Sequence, residues 1–295
     1  MKPGIAYALG AFFIWGLLPL YLHLLAPVST AEILAHRIVW SFATIALLLV
    51  GLRRLSWIRA ELRRPRRLLR FAVTAVLVSG NWMLYIWSVN SGHVIDSSLG
   101  YFINPLVNVL LGALLLHERL RFGQKIPIAL AAAGVAWLTF QAGSPPWIGL
   151  ALAISFALYG LLRKTAELGA LEGFAVESAF LTPFALGYLL WRDAGGALAF
   201  ASAADGTRWL LVCAGPVTAI PLLLFAAGAR RIPLSTLGVL QYVAPTLQWL
   251  SGIFAFHEAF DPHKAVGFAC IWVALALYAG EGLWFARWQS RAATG

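Results

Sequence analysis

Ser97-Ser98-Leu99-Gly100-Tyr101-Phe102-Ile103-Asn104-Pro105 returns in altered form as Ser235-Thr236-Leu237-Gly238-Val239-Leu240-Gln241-Tyr242-Val243-Ala244-Pro245. Thirteen residues beyond each proline stands a glutamate preceded by a histidine, His117-Glu118 and His257-Glu258. The offset is 138 before the proline and 140 from it onward, so the second copy carries two extra residues between Val239 and Ala244. A weaker echo pairs Trp15-Gly16-Leu17 with Tyr159-Gly160-Leu161. Self-similarity over such a span divides the chain into two copies of one unit, at about 1–142 and 143–295.

The solvent of these units follows from composition. The 295 residues are 61% hydrophobic and 12% charged, and the mean hydropathy is +0.80. A water-soluble domain of this size needs far more charge to cover its surface. Thirteen Trp suit a membrane–water interface. A spanning helix needs about 20 apolar residues, and ten segments qualify, near 4–26, 31–52, 69–90, 94–117, 123–141, 147–164, 171–191, 208–229, 233–257 and 264–286. The runs are continuous, whereas barrel strands alternate. The first segment lacks a small-residue cleavage site and reads as a retained helix, not a signal peptide. The expected fold is an all-α integral membrane protein of ten transmembrane helices.

Five spans per copy is an odd number, so the second copy enters the membrane from the opposite side and the repeats are inverted. With the N-terminus cytoplasmic, 18 Lys and Arg fall at inside ends and loops, only Arg192, Arg208 and Lys264 fall outside, and Arg37 lies within a helix. That asymmetry places both termini in the cytoplasm. The Arg-rich stretch 53–70 is a topology anchor with the secondary capacity to bind anionic lipid. The net charge of +10 has the same explanation: the basic residues sit in short stretches between apolar runs, which disfavours a nucleic-acid partner. Cys213 and Cys270 lie in separate apolar runs and read as small buried hydrophobes. Inverted repeats suit secondary carriers, because two copies of one shape give inward- and outward-open states of similar energy.

Four stretches carry a family resemblance: 32–37 (EILAHR), 80–82 (GNW), 98–108 (SLGYFINPLVN) and 235–246 (STLGVLQYVAPT). Together they resemble the RarD group, whose members are labelled chloramphenicol-sensitive, within the EamA branch of the drug/metabolite transporter superfamily. The resemblance spans essentially the whole chain. It implies two EamA-type repeats and a permease of the bacterial inner membrane that moves a small organic metabolite or drug-like solute.

Polar groups inside the spans are the candidate site. A charge at helix centre costs roughly 2.5–3.5 kcal/mol on insertion scales. Arg37 lies six residues into the second span, and its mate at offset 140 is Glu177 in the seventh. Each side chain leans toward its own helix N-terminus, so the two are expected in opposite halves of the cavity and not in one salt bridge. Arg37 either holds an anionic group of the solute or snorkels to headgroups. Glu177 is a proton-coupling or gating group, or a structural hydrogen-bonding partner; Glu32, nearer a span end, is a second gate candidate or an interfacial group. Asn81 shares a helix face with Tyr85 and Ser88, Tyr101 with Asn104 and Asn108, and Gln241 with Gln248 across Pro245. Amides in lipid must find partners, so these faces are helix–helix glue or pocket walls. Their coincidence with prolines, which free carbonyls four residues back, favours a pocket. Trp15, Trp82 and Tyr101 are candidates to stack on a planar solute.

Catalytic motifs are missing. His117-Glu118 and His257-Glu258 begin like a zinc-protease HExxH, but Arg121 and Asp261 stand where the second His belongs. Neither a GxSxG elbow nor a phosphate-binding loop occurs, so an enzyme and direct ATP drive are disfavoured, and no cofactor or metal is expected. The expected partners are a small-molecule substrate and the lipid bilayer. A channel, or a non-transporting membrane sensor or scaffold, remains the alternative.

Overall fold

A computed structural model describes residues 2–25, 27–90, 94–141, 147–255 and 262–292. Among these residues the regular secondary structure is all helical, and the helices run in chain order as α1 (Lys2–His23), α2 (Thr30–Gly51), α3 (Ser56–Leu62), α4 (Pro65–Asn90), α5 (Val94–Leu115), α6 (Phe122–Gln141) and α7 (Trp147–Thr165). The second half continues with α8 (Ala170–Ala194), α9 (Ala199–Ser202), α10 (Asp205–Ala229), α11 (Leu234–Gln241), α12 (Val243–Phe254) and α13 (Pro262–Ala292). Seven of these helices hold a stretch long and apolar enough to cross a bilayer. With α5, α6 and the α11–α12 pair they make the ten spans, and α3 and α9 are short connectors at equivalent places in the two halves.

The neighbour relations obey the repeat. Eight spans form a closed ring in the order α1, α10, α2, α8, α4, α7, α5, α11–α12 and back to α1, while α6 and α13 pair beside it. Exchanging the halves maps this set of contacts onto itself: α5 against α7 becomes α11–α12 against α1, α1 against α10 becomes α7 against α4, and α2 against α8 is its own image. The first helix of each half therefore packs on the opposite half, and the repeats interlock. The outer surface is apolar, with Leu47, Phe140 and Phe184 all more than 70% exposed, as lipid contact requires. Cys213 lies on this exposed surface and Cys270 is half-buried, which corrects the expectation that both are buried.

The ninth span is broken, not continuous over 233–257. Pro245 has no N–H to give to the carbonyl of Gln241, and the helix interrupts at Tyr242. Pro105 leaves α5 intact; the two extra residues of the second copy are accommodated at the break. The N-terminus of α11 is held by Glu118, whose carboxylate accepts hydrogen bonds from the backbone N–H of Leu234 (2.6 Å) and Ser235 (3.0 Å) and from the Ser235 hydroxyl (2.8 Å). The anion also faces the positive end of the helix dipole. The His-Glu pair that marks the first repeat is thus an interlock: the glutamate of one half caps a helix of the other. Its counterpart, His257-Glu258, lies outside the described residues. Glu118→Ala is expected to cost about 1–3 kcal/mol through the orphaned donors, with Glu118→Gln losing less, as measured by thermal unfolding in detergent.

Candidate functional site

One end of the bundle carries the C-termini of α2, α5, α7 and α10 and the N-termini of α1, α4, α6, α8 and α11; it is called the terminal side here, because the Gly4 backbone lies against Arg231 and Ile232 at this end. The opposite end is the far side. A cavity of about 380 Å³ occupies the far half of the ring, at the lower end of the ~300–1,000 Å³ typical of small-molecule sites. Its walls are Phe12, Trp15, Leu18, Pro19, Leu22 and His23 of α1, Arg37 of α2, Asn81, Trp82 and Tyr85 of α4, and Gly100, Tyr101 and Asn104 of α5. Leu152 and Phe156 of α7, Gln241 of α11, and Ala244, Pro245 and Gln248 of α12 complete them. Of the residues singled out from sequence, Arg37, Asn81, Trp82, Tyr101, Asn104, Gln241 and Gln248 meet around this one space. Asn108, Glu32 and Glu177 do not line it.

The amides are largely engaged with one another and with backbone. Asn81 donates to the Leu152 carbonyl and the Ser155 hydroxyl, both at 2.9 Å. Asn104 donates to the Ala153 carbonyl at 2.6 Å. Asn108, wholly buried one turn deeper, donates to Asn104 Oδ1 (3.0 Å) and Gln241 Oε1 (2.9 Å), joining α5 to α11. Gln248 donates to the Trp15 carbonyl at 3.1 Å. These amides are at once glue between helices and wall of the cavity.

Arg37 is different. It is 9% exposed; its Nε donates to Thr218 of α10 at 2.9 Å, and its guanidinium carbon lies 4.8 Å from the centre of the Trp82 ring. Among the described residues no carboxylate comes within ion-pair distance of it.

Beneath the cavity Trp15, Phe156 and Phe225 form an aromatic floor, with ring centres 5.3–5.6 Å apart, and Tyr159 stacks under Phe225 at 6.1 Å. One turn further toward the terminal side lies Glu177, 1% exposed. It accepts from Thr74 of α4 (2.6 Å) and Tyr159 of α7 (3.3 Å), and lies 3.6 Å from Arg163. The partner of Glu177 is therefore Arg163. Arg163 and Lys164 are two of the 18 Lys and Arg at inside ends and loops; Arg163 is 1% exposed, and Lys164 Nζ donates to the carbonyls of Ala229 and Ile232 at the end of α10. Further pairs tie the halves across the terminal side. Arg54 meets Glu172 at 2.6 Å, Arg67 and Arg70 meet Glu167, and Arg121 forms a two-pronged pair with Glu281. That carboxylate raises the Arg121 pKa and holds the guanidinium charged. The stretch 53–70 is thus partly a clasp.

Glu32, wholly buried, accepts from the backbone N–H of Ala199 (3.1 Å) and Phe200 (2.9 Å) at the start of α9, with Arg192 at 3.9 Å. Its repeat mate is Glu172, the residue that pairs with Arg54 beside α3. Among the described residues no cluster of His, Cys, Asp and Glu has the makings of a metal site.

The model of the EamA-like transporter family matches residues 2–140. The protein RarD of Streptomyces exfoliatus is 50% identical, over 99% of this chain and 92% of its own. An uncharacterized transporter of Bacillus subtilis, YojE, is 46% identical over 94% and 93% of the two chains. The protein RarD of Escherichia coli is 41% identical over 98% of each. A crystal structure 21% identical in sequence shares the fold, with a TM-score of 0.71 over 94% of this chain and 96% of that one. Ten interlocked spans, an internal cavity and this extent of identity agree: the chain is a multi-pass membrane protein that belongs to the EamA-like transporter family, as a RarD-like member.

Proposed function

We propose that the protein is a secondary-active permease of the bacterial inner membrane that moves a small organic solute by alternating access, with both termini cytoplasmic and the cavity opening to the outside. The units 1–142 and 143–295 act as the two inverted repeats. Arg37, Asn81, Trp82, Tyr101, Asn104, Gln241 and Gln248 hold the solute, with Asn108 bracing Asn104 and Gln241 from behind. Glu177 belongs to the closed inner gate, where it would exchange its ion pair for a proton or for another partner on opening; Glu32 belongs to the outer one.

One observation carries this reading. The repeat mates of three cavity residues, one each on α1, α2 and α4, lie on the opposite side and are packed shut: Trp15 corresponds to Tyr159, Arg37 to Glu177 and Asn81 to Ala219, and all three mates are 1% exposed or less. An outward-open form of an inverted repeat has this asymmetry, and its exchange gives the inward-open form.

The test needs no known solute. Single cysteines are placed at Asn81→Cys and at its mate Ala219→Cys, in a background with Cys213 and Cys270 replaced by serine, and probed with an impermeant maleimide from each face of oriented vesicles. Asn81→Cys is expected to react from the outside only. Ala219→Cys is expected to be silent until Arg163→Met loosens the gate, and then to react from the cytoplasmic face. Silence of Ala219→Cys under both conditions points to a non-transporting sensor or scaffold. Reaction of Asn81→Cys from both faces at once points to a channel.

A further inference from the structure

Arg37 is a buried cation with no anion within ion-pair distance among the described residues. A guanidinium has five N–H groups in a fixed plane; one is used on Thr218, and the face is covered by Trp82. The terminal nitrogens make no hydrogen bond to any described residue, in a wall where the amides of Asn81, Asn104 and Gln248 already donate to backbone carbonyls. A charge held nine-tenths out of solvent with no counter-ion is costly. The Thr218 bond from a neighbouring helix fixes its orientation, so the terminal N–H groups remain together for a ligand. A planar fork of this kind matches a carboxylate through two parallel hydrogen bonds.

The rest of the cavity limits what else the ligand is. Around Arg37 the walls are aromatic: Trp15, Trp82, Tyr101 and Phe156. Among the described residues no second Lys or Arg and no Asp or Glu lines the space. A dianion such as a phosphate monoester would keep one charge uncompensated, and an ammonium would meet the cation already there. We infer that the transported solute is a small organic monoanion, a carboxylate on a flat apolar body, with its carboxylate on Arg37 and its body against the aromatic walls. This rests on the permease reading for the word transported; the binding itself does not.

The test is binding to the purified full-length protein in nanodiscs, by thermal shift and calorimetry, with four probes sharing one ring: phenylacetate, phenylacetamide, phenethylamine and phenyl phosphate. Phenylacetate is expected to stabilise the protein and to bind at least tenfold more tightly than each of the others. Arg37→Gln is expected to lose that preference, Arg37→Lys to weaken it by keeping charge without the fork, and Thr218→Val to weaken it severalfold. Equal binding of the amide or the amine by the wild type, a preference for the phosphate, or no response to phenylacetate overturns the inference without reliance on any variant. So does a carboxylate preference that survives in Arg37→Gln. Failure of the permease reading shows in the maleimide pattern instead: carboxylate binding with Ala219→Cys always silent keeps the anion site and removes transport.

Discussion

Glu177→Ala is expected to lower stability by about 3–5 kcal/mol, the usual consequence of removing one member of a buried ion pair. The loss comes chiefly from what is left behind. Arg163 is 1% exposed, donates through one terminal nitrogen to the Ala170 carbonyl at 2.9 Å, and has no hydrogen-bond partner among the described residues for Nε or for its other terminal nitrogen. Without Glu177 its charge stays in a low-dielectric interior, answered by the Ala170 carbonyl and the face of the Phe71 ring, 5.6 Å away, but by no anion among the described residues. Glu177→Gln keeps one acceptor, its amide oxygen, for Thr74 and offers its NH2 as a donor to the Tyr159 hydroxyl, without the charge, so it should fall between the wild type and Glu177→Ala. Arg163→Met combined with Glu177→Gln removes both charges and leaves the amide a partner for each hydroxyl, and should recover most of the loss. With Arg163→Met alone added, the wild type, Glu177→Gln, Arg163→Met and the double variant form a thermodynamic cycle read by thermal unfolding in detergent. Stability of Glu177→Ala within about 1 kcal/mol of the wild type would mean that the pair does not hold the inner gate. Under the proposed permease function the same variants bear on transport, since a weakened gate would raise the population of the inward-open form and hence the labelling of Ala219→Cys from the cytoplasmic face.

How far a single sequence reveals such an arrangement depends on whether the interaction is local or long-range. The repeat offset, the proline and the helix-face spacing of Asn81, Tyr101, Asn104, Gln241 and Gln248 are local facts, and they were enough to bring these residues to one cavity wall. The ring order follows from the same repeat only once the interlocking of α1 and α7 is known, because nothing in residues 1–26 says which half they pack on. Arg163 illustrates the limit. It ends a span beside Lys164, as a topology charge does, and only the position of α8 and α4 distinguishes burial on Glu177 from a place in the headgroups. Asn108 has the same spacing as Asn104 yet sits behind the wall, since one turn of depth decides which side of a helix pair faces the space. The role of Glu118 was hidden for another reason: a cap on a helix 116 residues away has no signature in either segment. Cys213 was misplaced because apolar runs in a membrane protein face lipid as readily as core.

The interlocking of the ring also locates its most sensitive packing contact. α2 and α10 come together at Gly215, where a Cβ would fall within the contact radius of the Trp40 backbone and 2.6 Å from Trp40 Cβ. Close approach at small residues is how helices gain packing energy in lipid, where apolar burial supplies little drive. The backbone of α2 cannot yield as a flexible side-chain tip would, so Gly215→Val is expected to cost about 3 kcal/mol or more, the upper end of over-packing effects. Gly187→Ala, in an exposed stretch of α8 with nothing within 4 Å of the added methyl, is expected to show no loss, which controls for the mere removal of a glycine. The contact does more than pack. The Gly215 carbonyl accepts from Ser41 at 3.2 Å, and Thr218, one turn on, holds Arg37. A wedge at Gly215 that parts the two helices therefore pulls Thr218 from the guanidinium that faces the cavity. Even in conditions where Gly215→Val stays folded, its preference for phenylacetate over phenylacetamide should shrink as it does in Thr218→Val. Retention of the full preference would show that α10 does not orient Arg37, and the monoanion site would then have to be built by α2 and α4 alone.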